Sequence, residues 1–318
     1  MKIVLGTMNF GPQLDLESSR NMVKEFLSTD NRELDTAYVY NGGTTEEYLG
    51  SILPETDSSS YYLATKVHPR ITGKLDRESI LIQFNESLRR MKRDSVDLLY
   101  FHFPDGNKPI EEALETAADL YEQGKIKELG LSNYPAWQVV DIYNRCERYG
   151  CPKPTVYQGM YNALCRNVEP ELFSAIRHLG MRFYAFNPLA GGLLTGKHHD
   201  IDEKLEGTGR FARLKSYRDR YWKGSYFDAV EQIKKACEAE NIPMAEAAYR
   251  WLVNHSFMDA SKGDGILLGA SRIEQMHQNM RSADKGSLPE SIINAMNEAW
   301  EIAKPDSPSY FKFIYKKG

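Results

Sequence analysis

The feature that most restricts the fold of this sequence is an alternation. Short runs rich in β-branched and aromatic residues recur along the whole chain: KIVLGT (2–7), ELDTA (33–37), YLATK (62–66), VDLLYFH (96–102), IKELGLS (126–132), TVYQGM (155–160), MRFYAFNP (181–188) and GILLGAS (265–271). Segments with helical spacing lie between them. Asp15 precedes LESSRNMVKEFL, Asp76 precedes RESILIQFNESLRRM and Pro135 precedes AWQVVDIYNRCERYG, so these three carry helix-start signals. PIEEALETAADLYEQG (109–124), EPELFSAIRHLG (169–180) and IEQMHQNM (273–280) continue the pattern, and NIPMAEAAYRWL reads as a packed helix without chemistry. Strands separated by helices must run parallel. Eight such units on 318 residues favour a closed (β/α)8 TIM barrel, one domain over 1–318, above an open doubly wound sheet. A long loop after strand seven and a C-terminal helix and tail complete the expected architecture.

Composition excludes several classes of function. Lys and Arg number 40 against 44 Asp and Glu, a net charge of −4, so no field of one sign advertises nucleic acid or an anionic membrane. A hydrophobic content of 42% supplies a substantial core, yet no apolar stretch is long enough to span a bilayer. MKIVLGTMNF has no cleavable leader pattern, and no arm is expected ahead of KIVLGT. Cys146, Cys151, Cys165 and Cys237 lack metal-ligand spacing and read as ordinary thiols of a reducing compartment; no metal is expected, and the cytoplasm is the default location.

A parallel barrel places its site at the carboxyl ends of the strands. Asp35, Lys66, His102, Ser132 with Asn133, Asn187 and Ser271 then share one rim. The span from Leu189 to about Ser225 is far longer than an ordinary connection and is expected to cover a ligand. The stretch ELDTAYVYNGGTTEEYLG (33–50) adds Tyr40, in a loop that Asn41-Gly42-Gly43 leaves free to bend. An ammonium at Lys66 beside Tyr40 would favour phenolate, lowering a phenol from its reference of roughly 10. Asp35 would keep Lys66 charged, and His102 could orient a carbonyl oxygen for the Tyr40 proton. Taken singly, these residues also read as a turn cap, a packing tyrosine, a surface lysine and a rim histidine; taken jointly, they form a device for delivering a proton to a carbonyl.

DTAYVY with ATK and YFHFPD resembles the Asp, Tyr, Lys and His tetrad of the aldo-keto reductases. GKIKELGLSNYPAWQV, PTVYQGMYNALCR, RFYAFNPLAGGLLTGK, RDRYWK and SYFK are similar, in order and spacing, to the branch of aflatoxin-aldehyde and succinic-semialdehyde reductases. The resemblance implies an NADPH-dependent aldehyde reductase, with hydride from nicotinamide C4 and a proton from Tyr40. It implies that Ser132, Asn133 and Gln158 contact the carboxamide and that Phe186 stacks on the nicotinamide. Asn187, Pro188, Leu189, Gly191 and Lys197 would wrap the pyrophosphate, with Arg210 a further contact from the long loop. Gly269, Ser271, Gln275, Gln278 and Asn279 fall at the 2'-phosphate and adenine positions, where Arg272 adds a cation at a helix start. No GxGxxG follows a strand, so a Rossmann cofactor site is not indicated.

Tyr217 and Arg220 of SYRDRYWK form, by the same resemblance, an outer pocket that grips the carboxylate of acidic aldehydes such as succinic semialdehyde. The resemblance also suggests a homodimer. The sequence departs from the branch in a shorter insert before RDRYWK and in Gly106, where a histidine often follows PD. A second class of function stays open, since the potassium-channel β-subunits resemble this fold and keep a similar tetrad as cofactor-binding regulatory subunits. RDRYWK suits a substrate anion and favours the enzyme.

Overall fold

The structure, a computed structural model, describes residues 1–315. Eight parallel strands close into a barrel in chain order: β1 (Lys2–Gly6), β2 (Glu33–Asp35), β3 (Tyr62–Val67), β4 (Val96–Phe101), β5 (Ile126–Ser132), β6 (Val156–Met160), β7 (Arg182–Phe186) and β8 (Gly265–Leu268), the last pairing with β1. This is a (β/α)8 TIM barrel. The connecting helices are α1 (Leu16–Leu27), α2 (Thr44–Ile52), α3 (Arg77–Met91), α4 (Glu111–Glu122), α5 (Ala136–Cys146) and α6 (Leu172–His178). After β7 come α7 (Arg210–Arg213), α8 (Lys215–Tyr221), α9 (Gly224–Ala239) and α10 (Met244–Asn254); α11 (Ile273–Ala283) and α12 (Glu290–Ala303) follow β8. Among the described residues no helix is long and apolar enough to cross a membrane.

The helix starts carry the chemistry their sequences promise. Asp15 and Asp76 are extended residues whose carboxylates accept the backbone N–H of Ser18 at 2.8 Å and of Ser79 at 3.0 Å, satisfying amide donors that a first turn leaves free. Strand ends are shorter than the hydrophobic runs suggest. The assigned strands end at Asp35, Phe101 and Leu268, although the N–H of Thr36 still donates to the Ala64 carbonyl at 2.9 Å and that of His102 to the Val67 carbonyl at 3.0 Å. Helices α2, α9 and α12 were not individually delimited by their sequences; α9 and α12 pack on each other outside the barrel.

Two apolar layers hold the molecule. The larger lies between strands and helices, and a smaller one fills the barrel lumen with Val4, Ala64, Leu98, Tyr100, Val156, Tyr184 and Leu267. Below the lumen the amino ends of the strands carry a polar floor: Tyr62 donates to Glu128 at 2.8 Å, Tyr184 donates to Glu33 at 2.7 Å, and Arg182 pairs with Glu128. The carboxyl ends are left free for a site.

Gly130 shows how tightly the lumen is fitted. A Cβ there would lie 2.5 Å from the Tyr100 ring of the neighbouring strand, too close for any real contact, and that ring sits under Lys66 with Nζ 5.5 Å from its centroid. Gly130→Ala therefore forces Tyr100 or the strand to move, and should lower the unfolding free energy by about 1–3 kcal/mol, the usual cost of overpacking. An unchanged denaturation midpoint would mean that the ring can step aside freely.

Candidate active site

Parallel register builds the centre. Asp35, the last residue of β2, lies opposite Ala64 of β3, so Lys66, two residues further on the same face, points back toward it. Lys66 Nζ donates to Asp35 Oδ1 at 2.5 Å and to the carbonyl of Thr36 at 2.7 Å, and lies 3.5 Å from the Tyr40 hydroxyl. Both charged groups are buried, and Gln158 of β6 donates to the second Asp35 oxygen at 2.8 Å. Burial pushes the Asp35 carboxyl up and the Lys66 ammonium down, each opposed by the other's charge.

Tyr40 reaches the centre through three consecutive left-handed residues, Asn41 (φ 51°), Gly42 (φ 66°) and Gly43 (φ 104°). Asn41 pins that turn by donating to the carbonyls of Met8 and Phe10 at 2.8 and 3.1 Å. Gly43 is required by contact as well as by conformation, because a Cβ there would meet the Arg90 guanidinium at 2.6 Å. That guanidinium lies over the Tyr38 ring, donates to the Tyr38 carbonyl at 3.2 Å and pairs at 3.2 Å with buried Glu46, which accepts from Thr65 at 2.8 Å.

The expected lowering of the Tyr40 pKa is not found. Burial raises this phenol well above the ordinary tyrosine range, the Asp35 charge adds to the rise and Arg210 opposes it. The ammonium of Lys66 is spent on Asp35, so Tyr40 is held firmly protonated. His102, just past β4, meets Tyr40 edge-on with centroids 6.1 Å apart, without a hydrogen bond between them. Burial first, then the charges of His68, Lys66 and Arg70, hold the His102 imidazole neutral, and its buried Nδ1 has no partner among the described residues.

These groups open into a cavity of about 850 Å³ at the rim. Ser132, Asn133, Gln158, Phe186, Asn187, Pro188, Leu189, Gly191, Lys197, Arg210, Gly269, Ser271, Gln275, Tyr217 and Arg220 all line it, with Asp35, Tyr40 and His102; Lys66 lies beneath. Some side chains are committed elsewhere than the sequence suggested. Asn187 (φ 57°) accepts from the Tyr217 hydroxyl at 3.1 Å and donates to that of Tyr221 at 3.2 Å, so it ties α8 to β7. Gln275 accepts the N–H of Ser271 at 3.1 Å, just ahead of the Arg272 cap of α11.

Arg272, Gln278 and Asn279 do not line the cavity. Arg272 is exposed at the cap position of α11, and Gln278 and Asn279 lie a helical turn beyond Gln275, carried away from the mouth by the helix rise. The span after β7 is not a bare loop. α7 and α8 are built into it, Trp222 donates to the Ile201 carbonyl at 2.7 Å, and His198 pairs with Glu203. Gly106, noted for lacking a histidine, is needed by the tail: a Cβ there would sit 2.3 Å from the Tyr315 ring.

Sequence reasoning missed Asn9, His68, Arg70 and Phe103, all on the cavity wall. Strand alternation could have found His68, since it follows Lys66 by two residues. Asn9, which accepts from Arg210 at 3.3 Å, follows β1 in a turn with no pattern to mark it. Burial and the Arg70 charge lower the His68 pKa from 6.5 to about 3. Below about pH 6.5 the unfolded chain therefore binds a proton that the folded chain refuses, and stability falls as pH drops toward 3. His68→Asn should shrink the loss of unfolding free energy between about pH 7 and 5, measured by urea titration; an identical loss would rule out His68 as its source.

Comparison with known proteins agrees with this geometry. Human aldo-keto reductase family 7 member A3 is 41% identical over 97% of this chain and 96% of its own length. Human aflatoxin B1 aldehyde reductase member 2 is 42% identical over 97% of this chain and 89% of its own, and the oxidoreductase sirO of Leptosphaeria maculans is 32% identical over 97% and 96%. The model of the aldo/keto reductase family matches residues 2–301. A barrel whose rim gathers Asp35, Tyr40, Lys66 and His102 at one cavity, matched by that model over nearly its whole length, belongs to the aldo/keto reductase family of oxidoreductases.

Proposed function

We propose that the protein reduces aldehydes to alcohols with NADPH, Tyr40 giving the proton. The observation that carries this reading is a protonated phenol beside a buried ammonium, with Lys66 Nζ 3.5 Å from the Tyr40 hydroxyl, facing one cavity with neutral His102. The aldehyde class follows from the relatives named for aflatoxin B1 aldehyde reduction. Aromatic, dicarbonyl and short carboxylated aldehydes are the substrates in view.

The residues present suit a nicotinamide dinucleotide. Lys197 and Arg210 line the cavity without a carboxylate partner among the described residues, a donor set for a pyrophosphate. Gly191 (φ 72°) leaves backbone open where a Cβ would crowd Tyr217 at 2.9 Å, and Gly269 does the same beside Arg210. Ser132 and Asn133 offer a hydroxyl and an amide at the inner end, where Asn133 also holds the His102 carbonyl at 2.9 Å. Ser271 and exposed Arg272, near the outer end, suit a 2'-phosphate and hence NADPH over NADH.

When bound, the cofactor supplies a hydride to the carbonyl carbon. The carbonyl oxygen, sited between Tyr40 and His102, gains alkoxide character and becomes a stronger base than phenolate, so the Tyr40 proton transfers despite its raised pKa. Lys66 stabilises the phenolate left behind, and Asp35 with Gln158 keeps Lys66 in place. His102, neutral, orients the oxygen without adding charge.

Tyr40→Phe removes only the donor and should cut turnover of 4-nitrobenzaldehyde by about 10²–10⁴-fold while NADPH binding, followed by fluorescence titration, stays close to wild type. Turnover within a few-fold of wild type would remove Tyr40 from the mechanism. Tight NADPH binding by the wild type with no turnover of any aldehyde would instead favour the regulatory-subunit reading.

Tyr217 and Arg220 make the outer pocket in this proposal. The Arg220 guanidinium lies 5.4 and 5.8 Å from the Tyr217 and Tyr221 ring centroids, and no carboxylate of the described residues pairs with it. It is thus oriented by stacking and free to grip a carboxylate. Arg220→Met should cost about 1.5–3 kcal/mol in kcat/KM for succinic semialdehyde and much less for 4-nitrobenzaldehyde. Equal losses for both would mean that the loop had shifted.

A further inference from the structure

Arg70 lines the cavity wall on the side of His68 and His102. Beyond β3, the inward-facing series Ala64, Lys66 continues to His68, whose N–H donates to Gln83 at 2.8 Å and whose ring stacks on Phe103 with centroids 4.8 Å apart. His68 Nδ1 accepts the backbone N–H of Arg70 at 3.1 Å, and Pro69 stiffens the turn between them. Arg70 is therefore launched from a fixed turn at the rim, not from a mobile loop. Its side chain is exposed and lines the same cavity as Tyr40 and His102. Among the described residues its guanidinium meets no carboxylate and no hydrogen-bond acceptor.

The charge of Arg70 reaches the reacting end, since it helps hold both His68 and His102 below the ordinary histidine range, after the larger effect of burial. Arg220 stands on other elements, stacked on Tyr217, and Tyr217 is an electrostatic neighbour of Tyr40. Arg70, on the His102 side, and Arg220, on the Tyr217 side, thus line the same cavity as Tyr40 from separate parts of the chain. Of the carboxylates on the cavity wall, Asp35 is bound by Lys66 and Glu203 by His198, and Glu206 forms no ion pair with Arg70 or Arg220 among the described residues.

We infer that Arg70 is a specificity-determining residue that recognises a second anionic group, so that with Arg220 it selects aldehydes bearing two separated anionic groups over those bearing one or none. The inference rests on the reductase reading and deepens it. A guanidinium at a rim, partly in water, gives less than a buried one, but its planar donors suit a carboxylate.

The test uses a rigid series with NADPH: 4-nitrobenzaldehyde, 4-carboxybenzaldehyde and 5-formylbenzene-1,3-dicarboxylate. For the wild type, kcat/KM should rise by about ten-fold from the monoanion to the dianion, within the range of one charge-assisted contact at an accessible site. Arg70→Met should abolish that step, Arg70→Lys should restore part of it, and raising salt to about 0.5 M should shrink it by screening. A wild type that turns over 4-nitrobenzaldehyde but shows no dianion step overturns the role of Arg70 and leaves the reductase reading standing. So does an Arg70→Met variant that loses equally on all three aldehydes, since it would then act through the packing of His68 and His102. No NADPH oxidation with any aldehyde would bring down the reductase reading and this inference together.

Discussion

An ammonium and a carboxylate without access to water, Lys66 and Asp35, set the terms for everything around them. Removing two charges from water costs several kcal/mol each, and only excellent geometry with further hydrogen bonds offsets it. Here the ammonium has Asp35 at 2.5 Å and the Thr36 carbonyl at 2.7 Å, with the Tyr40 hydroxyl at 3.5 Å as its third neighbour. Asp35 has Gln158 at 2.8 Å on its other oxygen. Strands β2, β3 and β6 are thereby tied together at the rim, and two partners of the pair, Tyr40 and Gln158, also face the cavity. The groups that complete the charge pair's surroundings are thus also part of the cavity wall.

The opposite face of β3 supports the same loop. Because side chains alternate along a strand, Thr65 points outward where Lys66 points in, and it donates to Glu46. Burial pushes the Glu46 carboxyl up, while Arg90 and the Thr65 hydroxyl counter it. Arg90 in turn holds the Tyr38 carbonyl and covers Gly43. The turn from Tyr38 to Gly43 is thus fixed from the barrel through Lys66, from the helix layer through Arg90 and from β1 through Asn41. Left-handed conformation at three successive residues is affordable only under such constraint.

Strand periodicity made the barrel and the tetrad legible, since Asp35, Lys66, His102 and Ser132 occupy strand ends whose apolar runs mark them. What periodicity cannot carry is where a side chain's hydrogen bonds go. Asn187 and Gln275 read as ligand contacts, yet their side chains close structural links to Tyr217, Tyr221 and Ser271. Gln278 and Asn279 came from the resemblance alone, and they lie a turn beyond Gln275, off the cavity wall. The sign of the Tyr40 shift was illegible for a related reason. Strand-end spacing brings Lys66 and Asp35 near Tyr40, but only the fold shows how deeply the phenol is buried, and burial outweighs the ammonium.

The cavity therefore divides into two electrostatic zones. Beneath the tetrad every charge is paired; on the wall Arg70, Lys197, Arg210 and Arg220 have no carboxylate partner among the described residues. A chain of net charge −4 nonetheless presents a cationic lining. At physiological salt the screening length is about 8 Å, so attraction of an anion depends on this lining and hardly on the molecule's overall charge. The paired zone holds Lys66 and Asp35 in place beside Tyr40, whose phenol burial keeps protonated, while the unpaired cations face the open cavity. The two zones are nonetheless coupled, since Arg210 acts on the Tyr40 phenol and Arg70 on the His102 imidazole.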